Sequence, residues 1–434
     1  MKEFFSKSVL QYRDYRTLWF GQLISEFGDT LHHLVFLWMV LAVTKDPGSV
    51  AIVGIFEVLP FVLLAPLAGS VVDRYDRRLI LFLTDIVSAV IVFGFVGAMM
   101  FHPNPALWFI CLVASLLGCV RVFSSPARGA ITPSLVPKER LVDANAMNST
   151  MRNMMPLLGT ALSAIFLQTV FHSHPKLAYL IAFAFNGVTF LCSAAFMFFL
   201  PSLKPEPKEE FHSLLKDTKE GVDFVKKHPV LGPAMLASLG LNFFIAPFMP
   251  AYIVLVQIKL HGTPGLLAVL DIFFFVGMMC GSLYCFRLKE RRVGVLYSVS
   301  LGLCALTVIP LGFATSWILI AVLNFFTGIT IPTADIPLQT LIQAETPDDL
   351  RGRVNAAMGL ISSLVTPVGF AMSGFLLKYL GVSGTFMFCG LGFGLCPILL
   401  LLNKNYRNAR LPEGVSFRPN AAILETPERS QAST

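Results

Sequence analysis

The stretch Gly69-Ser-Val-Val-Asp73-Arg-Tyr-Asp-Arg-Arg78 decides the fold of this 434-residue chain. It lies between two runs of mostly apolar residues, each of which exceeds the about 20 residues that a membrane-spanning helix needs. Five of the six residues 73–78 are charged, and such residues stay in water or among lipid headgroups. The two runs are therefore predicted to cross a bilayer in opposite directions, joined by a short hairpin.

The composition places the whole chain in a membrane. Hydrophobic residues make up 55% of the sequence, charged residues only 14%, and the mean hydropathy is +0.71. A soluble protein has about 25% charged residues, so a soluble fold is excluded. Apolar runs of spanning length predict an all-α membrane protein with twelve transmembrane helices, centred roughly on residues 30, 60, 90, 117, 157, 188, 243, 276, 303, 328, 366 and 392.

Lysine and arginine are distributed unevenly between alternate loops. With the N-terminus placed inside, 27 of the 33 lie in inner segments and four lie in outer loops. Because loops rich in these residues stay in the cytoplasm, both termini are predicted to be cytoplasmic in a plasma membrane, a bacterial inner membrane. The net charge of +7 follows from this bias and suits contact with anionic membrane lipids, so no nucleic-acid partner is expected.

A polar segment divides the chain into two halves of six spans each. The halves repeat one pattern, since Pro137 precedes Asn145 by eight residues and Pro347 precedes Asn355 by eight residues. Parallel repeats of this kind form two six-helix bundles with a substrate site between them near mid-membrane. The predicted segments are a cytoplasmic N-terminal segment (1–16), an N-terminal bundle (17–200), a cytoplasmic linker (201–228) with an amphipathic helix (211–227), a C-terminal bundle (229–404) and a disordered cytoplasmic tail (405–434).

The opening stretch has the form Gly-x-x-x-Asp-Arg-x-x-Arg-Arg, which resembles the signature loop between helices 2 and 3 of major facilitator superfamily transporters. Two further stretches, Ser125-Pro-Ala-Arg128 and Gln339 to Met358, are similar to the loop after helix 4 and the loop between helices 10 and 11 in one efflux branch. That branch, the third drug-proton antiporter group, includes macrolide-efflux proteins and the enterobactin exporter. The resemblance extends to about residue 405 and implies the major facilitator fold and transport by alternating access.

The resemblance also implies that the loop is a conformational switch. Asp73 is expected to pair with Arg77 and to accept hydrogen bonds from the N-terminus of the eleventh helix near Asn355, where the helix dipole favours an anion. This contact would close the cytoplasmic side and break on inward opening. The stretch 287–292 follows the eighth span as 73–78 follows the second. The residues assigned to the switch are Gly69, Asp73, Arg74, Arg77, Arg78, Arg353 and Asn355.

The first span carries the strongest candidates for functional side chains. Gln22, Glu26, Asp29 and His33 follow one another at spacings of four, three and four, which places them on one helix face. An ionised group at mid-membrane costs several kcal/mol, so this face is expected to line a cavity or to meet a partner. Glu26 or Asp29 is a candidate for proton coupling; a permanently paired structural acid and a contact for a cationic substrate are the alternatives.

Further polar residues of the spans are candidates for the same site. Glu57 of the second span lies at the depth of His33, so a histidine-carboxylate pair is expected there. Arg121 resembles the arginine in helix 4 of proton-driven relatives and is expected to pair with Asp271 or Asp335. The proton-coupling candidates are Glu26, Asp29, His33, Glu57 and Arg121, and the substrate-cavity candidates are Gln22, Asn242, Phe243, Asp271 and Asp335.

These residues predict a secondary active exporter of amphipathic or drug-like small molecules, driven by the proton gradient. Thr160 stands where drug antiporters carry a proline in helix 5, which leaves the direction of transport open. A siderophore or lysophospholipid transporter, or a facilitator, is the alternative, and a transport-inactive membrane receptor is a remote one. Because the chain has no nucleotide-binding loop, catalytic triad motif or Cys/His cluster with metal-ligand spacing, no enzyme activity, cofactor or metal is expected. A monomer is the default for this fold.

Overall fold

The computed structural model of the chain describes residues 8–170, 175–204, 214–285, 292–347 and 350–410. Four predicted features lie wholly or partly outside these residues. They are the start of the N-terminal segment (1–7), the first turn of the linker helix (211–213), the motif at 287–292 apart from Arg292, and the tail beyond residue 410.

The described residues fold into fifteen α-helices and four shorter helical turns. The α-helices are α1 Arg13–Thr44, α2 Pro47–Val72, α3 Arg77–Phe101, α4 Leu107–Ile131, α5 Leu141–Val170, α6 Pro175–Phe198, α7 Leu214–Lys227, α8 Leu231–Ile245, α9 Phe248–Val254, α10 Pro264–Cys285, α11 Val293–Leu311, α12 Trp317–Glu345, α13 Arg351–Tyr379, α14 Gly381–Leu400 and α15 Lys404–Asn408. Short 3-10 turns lie at Val9–Gln11, Thr132–Ser134 and Lys138–Arg140, and a π-helical turn lies at Leu255–Lys259.

Eleven helical segments in the described part of the chain are long and apolar enough to cross a membrane. One of them is built from α8, α9 and the π-helical turn, and it breaks at Pro247, which has no N–H to continue a helix. α5 has the length of a span, with 30 residues, but it is more polar because its first half carries Asp143 and Arg152. It packs against α1 and α10 inside the bundle. With α5 included, the prediction of twelve transmembrane helices is confirmed.

Each half is built on the same helix pairings. In the first half α2 packs on α4, and α3 packs on both α4 and α6. In the second half α10 packs on α12, and α11 packs on both α12 and α14. The halves meet through α2 against α13 and through α5 against α10, while α7 lies on α13 and α8. The internal repeat of the sequence therefore reappears as a repeat of helix contacts.

The bundle is closed on one side and open on the other. We call the side where α1 begins and α14 ends the terminal side, and the opposite side the far side. At the far side α2 meets α13, with Gly54 against the ring of Phe370, and residues 34–41 and 250–256 are buried without interruption. At the terminal side, Thr132 and Asn145, which stand at the ends of α4 and α5, border the space between the halves. The space between the halves is therefore sealed at the far side and reached from the terminal side.

Glycines bring α10 and α12 into close contact. A Cβ atom on Gly277 would overlap the carbonyl oxygen of Phe325, and a Cβ atom on Gly328 would overlap that of Phe274. Between membrane helices the hydrophobic effect gives little driving force, so close packing of small residues supplies much of the attraction. This contact holds the second half together beside the space between the halves.

Gly277→Val should destabilise the protein by about 1–3 kcal/mol, because the added methyl groups push α12 away. The measurement is the thermal unfolding of purified protein in detergent. Gly302→Val in α11 is the matched control, since nothing lies within 4 Å of a Cβ atom at that position. Equal melting temperatures for the two variants would contradict a stabilising role for the α10–α12 contact.

Candidate transport cavity

A cavity of about 760 Å³ lies between the two halves. Its walls come from α1, α3, α4, α5 and α6 of the first half and from α9 and α10 of the second. The lining reaches Thr132 and Asn145, at the terminal-side ends of α4 and α5. A volume of this size encloses a drug-sized molecule, and the space between halves is where a two-bundle carrier binds its substrate. The cavity is therefore the candidate transport site.

One face of α1 forms the charged part of the wall. Gln22, Glu26, Asp29 and His33 all line the cavity, because their spacing follows the helix period. Glu26 Oε1 accepts a hydrogen bond of 2.6 Å from Arg128 Nη1, which joins α1 to α4 by an ion pair. Hydrogen bonds between two ionised groups are roughly twice as strong as neutral ones. The pair therefore balances two charges inside the bundle.

The expectation that Arg128 belongs to the loop after helix 4 is wrong. α4 continues through Pro126 to Ile131, so Arg128 lies in the last turn of the helix. Membrane helices tolerate an internal proline where neighbouring groups satisfy the freed backbone. The expectation rested on the similarity of the stretch 125–128 to a family loop, and that similarity does not fix the residue at which the helix ends.

Asp29 is held by a polar contact with α6. Its Oδ1 accepts a hydrogen bond of 3.4 Å from the Asn186 amide. Gly28 makes this approach possible, because a Cβ atom at that position would overlap the side chains of Asn186 and Thr189. α6 therefore sets the position of the carboxylate from behind α1.

Asp85 of α3 is a cavity residue that the sequence predictions missed. It is only 5% exposed, and its Oδ2 accepts a hydrogen bond of 2.6 Å from the Ser193 hydroxyl on α6. Asp85 lines the same cavity as Glu26 and Asp29. The signal that could have found it is a single acid within the apolar run of the third span, since such residues are functional candidates by default.

Glu57 of α2 forms a second charged cluster. Its Oε1 lies 3.3 Å from Arg121 Nη1 and 3.6 Å from His33 Nδ1. The structure thus contains the histidine-carboxylate contact that depth in the membrane predicted. The expectation that Arg121 pairs with Asp271 or Asp335 is wrong, because α4 packs along α2 and Glu57 of α2 engages the guanidinium.

A smaller chamber of about 300 Å³ adjoins the Glu57 cluster. The Arg121 side chain is 60% exposed and lines both chambers, whereas Asn242, Ser362 and Thr366 of the second half line only the smaller one. Arg121 therefore presents its guanidinium to polar groups of the second half while it stays paired within the first.

The remaining substrate-cavity candidates lie in different places. Asp271 of α10 lines the main cavity and makes no hydrogen bond or ion pair with another residue that the structure describes. Asp335 accepts a long hydrogen bond of 3.5 Å from Gln339, and the ring of Phe243 packs on Phe244. Neither Asp335 nor Phe243 is among the described residues that line the two chambers. In the same described part of the chain, no group of His, Cys, Asp and Glu could hold a metal ion.

The charged loop between α2 and α3 is fastened to the first half. Arg77 Nη1 donates to the carbonyl oxygen of Ala130 at 2.9 Å, and Arg78 donates to the carbonyl oxygen of Phe198 and lies over its ring. Asp73 makes no side-chain hydrogen bond or ion pair within the described ranges. The expected Asp73–Arg77 pair is therefore absent from this conformation, because the end of α4 engages Arg77.

Other residues assigned to the switch lie at both edges of the open side. Gly69 is in the last turn of α2, where its carbonyl oxygen accepts the Asp73 N–H at 3.0 Å, and Arg74 is exposed. On the second half Arg353 Nη1 lies 3.0 Å from Glu220 of α7. The side chain of Asn355 lies outside what the structure describes. The linker helix thus holds the N-terminal turn of α13.

Comparison with known families agrees with this architecture. A family model described as the Major Facilitator Superfamily matches residues 18–369 and 248–427 of the chain. The chain belongs to the Major Facilitator Superfamily. It is accordingly a multi-pass membrane transporter and not an enzyme.

Relatives of this transporter include proteins that are named for efflux or export. It is 26% identical to the uncharacterized MFS-type transporter YfiS of Bacillus subtilis, over 91% of this chain and 94% of that protein. It is 22% identical to macrolide efflux protein A of Streptococcus pyogenes, over 86% and 92% of the two chains. It is 26% identical to the enterobactin exporter EntS of Citrobacter koseri, over 80% and 82%.

Solved structures share the fold of this transporter at low sequence identity. A bacterial homologue of the iron transporter ferroportin in an inward-facing state aligns with a TM-score of 0.68 at 15% identity, over 92% of this chain and 99% of that chain. A POT family transporter in complex with a thioalcohol-conjugated peptide aligns with a TM-score of 0.66 at 14% identity, over 90% and 96%. These structural similarities show that the chain shares the overall fold of these transporters.

Asp76 holds the charged loop between α2 and α3 of this transporter in place. It caps α3, since its Oδ1 accepts the Arg78 N–H at 2.9 Å, and it also accepts hydrogen bonds from Ser202 at 2.6 Å and from the Leu203 N–H at 3.0 Å. Burial alone would raise the pKa of Asp76, but these hydrogen bonds favour the charged form and hold its pKa below the ordinary value. Asp76 thus ties the loop to the segment that follows α6.

Asp76→Ala should lower the stability of the transporter by about 1 kcal/mol at neutral pH, because α3 loses its N-cap. Since the folded-state pKa of Asp76 is lowered, its contribution is present above the unfolded pKa of about 3.9 and is lost as the pH falls through the folded pKa. Thermal unfolding in detergent should therefore show a difference from wild type that shrinks below about pH 4.

Asp73→Ala is the control for this measurement, because the exposed side chain of Asp73 makes no hydrogen bond or ion pair within the described ranges. It should leave the melting temperature unchanged across the same pH range. A loss of stability with Asp76→Ala that stays constant down to pH 3 would contradict a role for the charged form.

Proposed function

We propose that this transporter exports amphipathic small molecules and that the inflow of protons drives the export. The observation that carries the proposal is the Glu26–Arg128 ion pair, which stands in the wall of a cavity that opens to the terminal side. A carboxylate at such a place can hold a proton or an ion-pair partner, and these two states differ in charge. The proton gradient then supplies the energy without a cofactor.

Charge balance links the proton to the movement of the helices. When Glu26 takes up a proton its attraction for Arg128 is lost, and when the proton leaves the ion pair forms again. Asp29 offers a second carboxylate one helical turn further along the same face. With the terminal side in the cytoplasm, as the lysine and arginine bias indicates, Glu26 releases its proton in the conformation seen here and cargo enters the same cavity. Closing this side and opening the far side delivers the cargo outward.

The second half offers a wall for the cargo. Asp271 lines the cavity together with the apolar side chains of Met249, Ile253 and Phe275. A carboxylate without a counter-ion in an apolar wall is expensive to keep charged, so a positively charged group on the cargo would stabilise it. A molecule with an apolar body and a cationic group fits this wall. The similarity to macrolide efflux protein A supports a bulky, drug-like cargo.

A siderophore or a lysophospholipid is the second candidate cargo. The exposed guanidinium of Arg121 and the hydroxyl of Ser362 line the smaller chamber, and such donors suit an oxygen-rich, negatively charged group. The similarity to the enterobactin exporter EntS supports this candidate. A facilitator that moves such a cargo without proton coupling is a further alternative.

The proposed setting is the inner membrane of a bacterium. Both termini lie in the cytoplasm, where the basic inner loops contact anionic lipid headgroups. The protein works there as a monomer, with protons, cargo and lipids as its partners and without nucleic acid.

Glu26→Gln should abolish proton-driven transport, because glutamine cannot exchange a proton. Energised inverted membrane vesicles would be incubated with ethidium, with a radiolabelled macrolide or with enterobactin in the medium, each with and without a protonophore, and uptake into the vesicles would be measured. In the wild type the protonophore should reduce uptake at least about tenfold, and in Glu26→Gln uptake should stay at the reduced level in both conditions. Asp335→Asn is the matched control, since it neutralises an acid of α12 outside the cavity lining, and it should transport like the wild type.

Each result of the vesicle assay bears on a separate part of the proposal. Wild-type uptake that does not change when the protonophore is added would contradict proton coupling and favour a facilitator. Wild-type uptake by Glu26→Gln would move the coupling to another acid. Uptake of enterobactin alone would replace the drug-like cargo with a siderophore.

Asp271→Asn should raise the KM for ethidium about tenfold, which corresponds to about 1.4 kcal/mol of lost binding. The turnover rate and the uptake of an uncharged fluorescent amphiphile should stay close to wild type, because only the cationic group loses its partner. Asp271→Glu keeps the charge and should keep the KM within a few-fold of wild type. An equal loss for charged and uncharged amphiphiles would show that Asp271 supports the fold of the wall and does not bind the cation.

A further inference from the structure

Asp85 of α3 is a charged residue of the cavity for which the proposed cycle has no role. One of its carboxylate oxygens accepts the hydrogen bond from Ser193, and the other has no hydrogen-bond partner among the described residues. The residue is 5% exposed and lines the cavity. A carboxylate offers about four sites that accept hydrogen bonds, so Asp85 has unused capacity for a cation.

Arg128 is the cation that can use this capacity. Asp85 comes eight residues after Arg77, where α3 begins, and Arg128 comes three residues before Ile131, where α4 ends. Both helix ends lie at the terminal side, the two helices pack together, and both residues line the same cavity. A guanidinium has five N–H donors, and Arg128 uses one nitrogen for Glu26, so further donors are available.

Other charged groups of the cavity are engaged elsewhere or stand on the other wall. Asp29 accepts a hydrogen bond from Asn186, Arg121 is paired with Glu57, and Arg152 donates to Ser149 on its own helix. α6, which packs behind Asp85, carries a single charged residue, Lys176, at its far-side end. The charged or titratable residues that line the cavity besides Glu26, Asp85 and Arg128 are Asp29, His32, His33, Arg121, Arg152 and Asp271.

We propose that Asp85 is a positioning residue that receives Arg128 when Glu26 takes up its proton. This step rests on the proposed coupling at Glu26. A proton from water in the cavity binds to the Glu26 carboxylate, the Glu26–Arg128 ion pair breaks, and the guanidinium, still protonated, moves to the free oxygen of Asp85. Release of the proton from Glu26 reverses the move. One proton is gained and lost in each cycle, and no other covalent bond changes.

The exchange of partners solves an electrostatic problem of the coupling step. Without Asp85, protonation of Glu26 would leave a guanidinium in the cavity wall with no counter-ion. Breaking a buried ion pair by neutralising one partner is strongly unfavourable, because it leaves an uncompensated charge. A second carboxylate reduces this cost. Arg128, which lies on α4, then releases α1 and binds α3. Protonation of Glu26 therefore also changes the helix to which α4 is joined.

The competing explanation is that Asp85 only fastens α3 to α6 through Ser193. Thermal unfolding of the purified full-length protein in detergent separates the two explanations without any cargo. Glu26→Gln imitates the protonated acid. Asp85→Asn should lower the melting temperature by several degrees more in the Glu26→Gln background than in the wild-type background, because Arg128 then has lost both carboxylates. Adding Arg128→Gln to both backgrounds should remove this extra loss.

Ser193→Ala is the matched control, since it removes the hydrogen bond and keeps the charge of Asp85. It should change the melting temperature equally in the two backgrounds. Asp85→Asn retains an oxygen that can accept from Ser193, so a fastening role would predict small, equal effects of this substitution. Equal effects of Asp85→Asn in both backgrounds, or an extra loss that persists after Arg128→Gln, would overturn the proposal.

Ethidium uptake into inverted vesicles gives a second measurement, which also covers the case that the double variant does not fold. Asp85→Asn should reduce the protonophore-sensitive uptake about tenfold, and Asp85→Glu should restore it because the carboxylate returns. Wild-type uptake by Asp85→Asn would overturn the exchange of partners. If the wild type itself takes up no ethidium, the proposed cargo class fails, whereas the melting temperatures still decide the role of Asp85.

Discussion

The free-energy cost of an ionised side chain in a bilayer is the constraint on which the rest of this structure depends. Charged residues within spans must face protein or water. The acids of α1 and α3 and the arginines of α4 therefore gather in the cavity between the halves. There Glu26 meets Arg128 at 2.6 Å, and Glu57 meets Arg121 at 3.3 Å. The outer surface of the bundle is left to apolar side chains that face lipid.

The two halves repeat one helix architecture with different chemistry. Around the two chambers, the described residues of the first half include two arginine–glutamate ion pairs and two carboxylates, Asp29 and Asp85, that are held by hydrogen bonds from α6. Among the described lining residues, the second half contributes one charged group, Asp271. This division suits a carrier in which one half holds the exchangeable charge and the other contacts the cargo. The far-side contact between α2 and α13 and the contact between α5 and α10 join the halves, so a rocking motion would change which side reaches both walls.

Predictions that rest on consecutive residues agree with the structure, and predictions about partners often do not. The helix period places Gln22, Glu26, Asp29 and His33 on one face, and all four line the cavity. The predicted partner of Arg121 is wrong, because the packing of α4 along α2 places Arg121 beside Glu57. Asp85 could have been found as a single acid in an apolar run, but its contact with Ser193 of α6 depends on tertiary packing.

The sequence by itself determined the family, the twelve spans and the polar face of the first helix, because length, hydropathy and helix period are properties of neighbouring residues. Only the tertiary structure decided that Arg128 belongs to α4 and binds Glu26, that Arg77 binds the end of α4 and leaves Asp73 exposed, and that the cavity opens to the terminal side. Those contacts join residues that are far apart in the chain. They depend on which helices pack together and at which end, and a long arginine side chain can reach several partners from the same position.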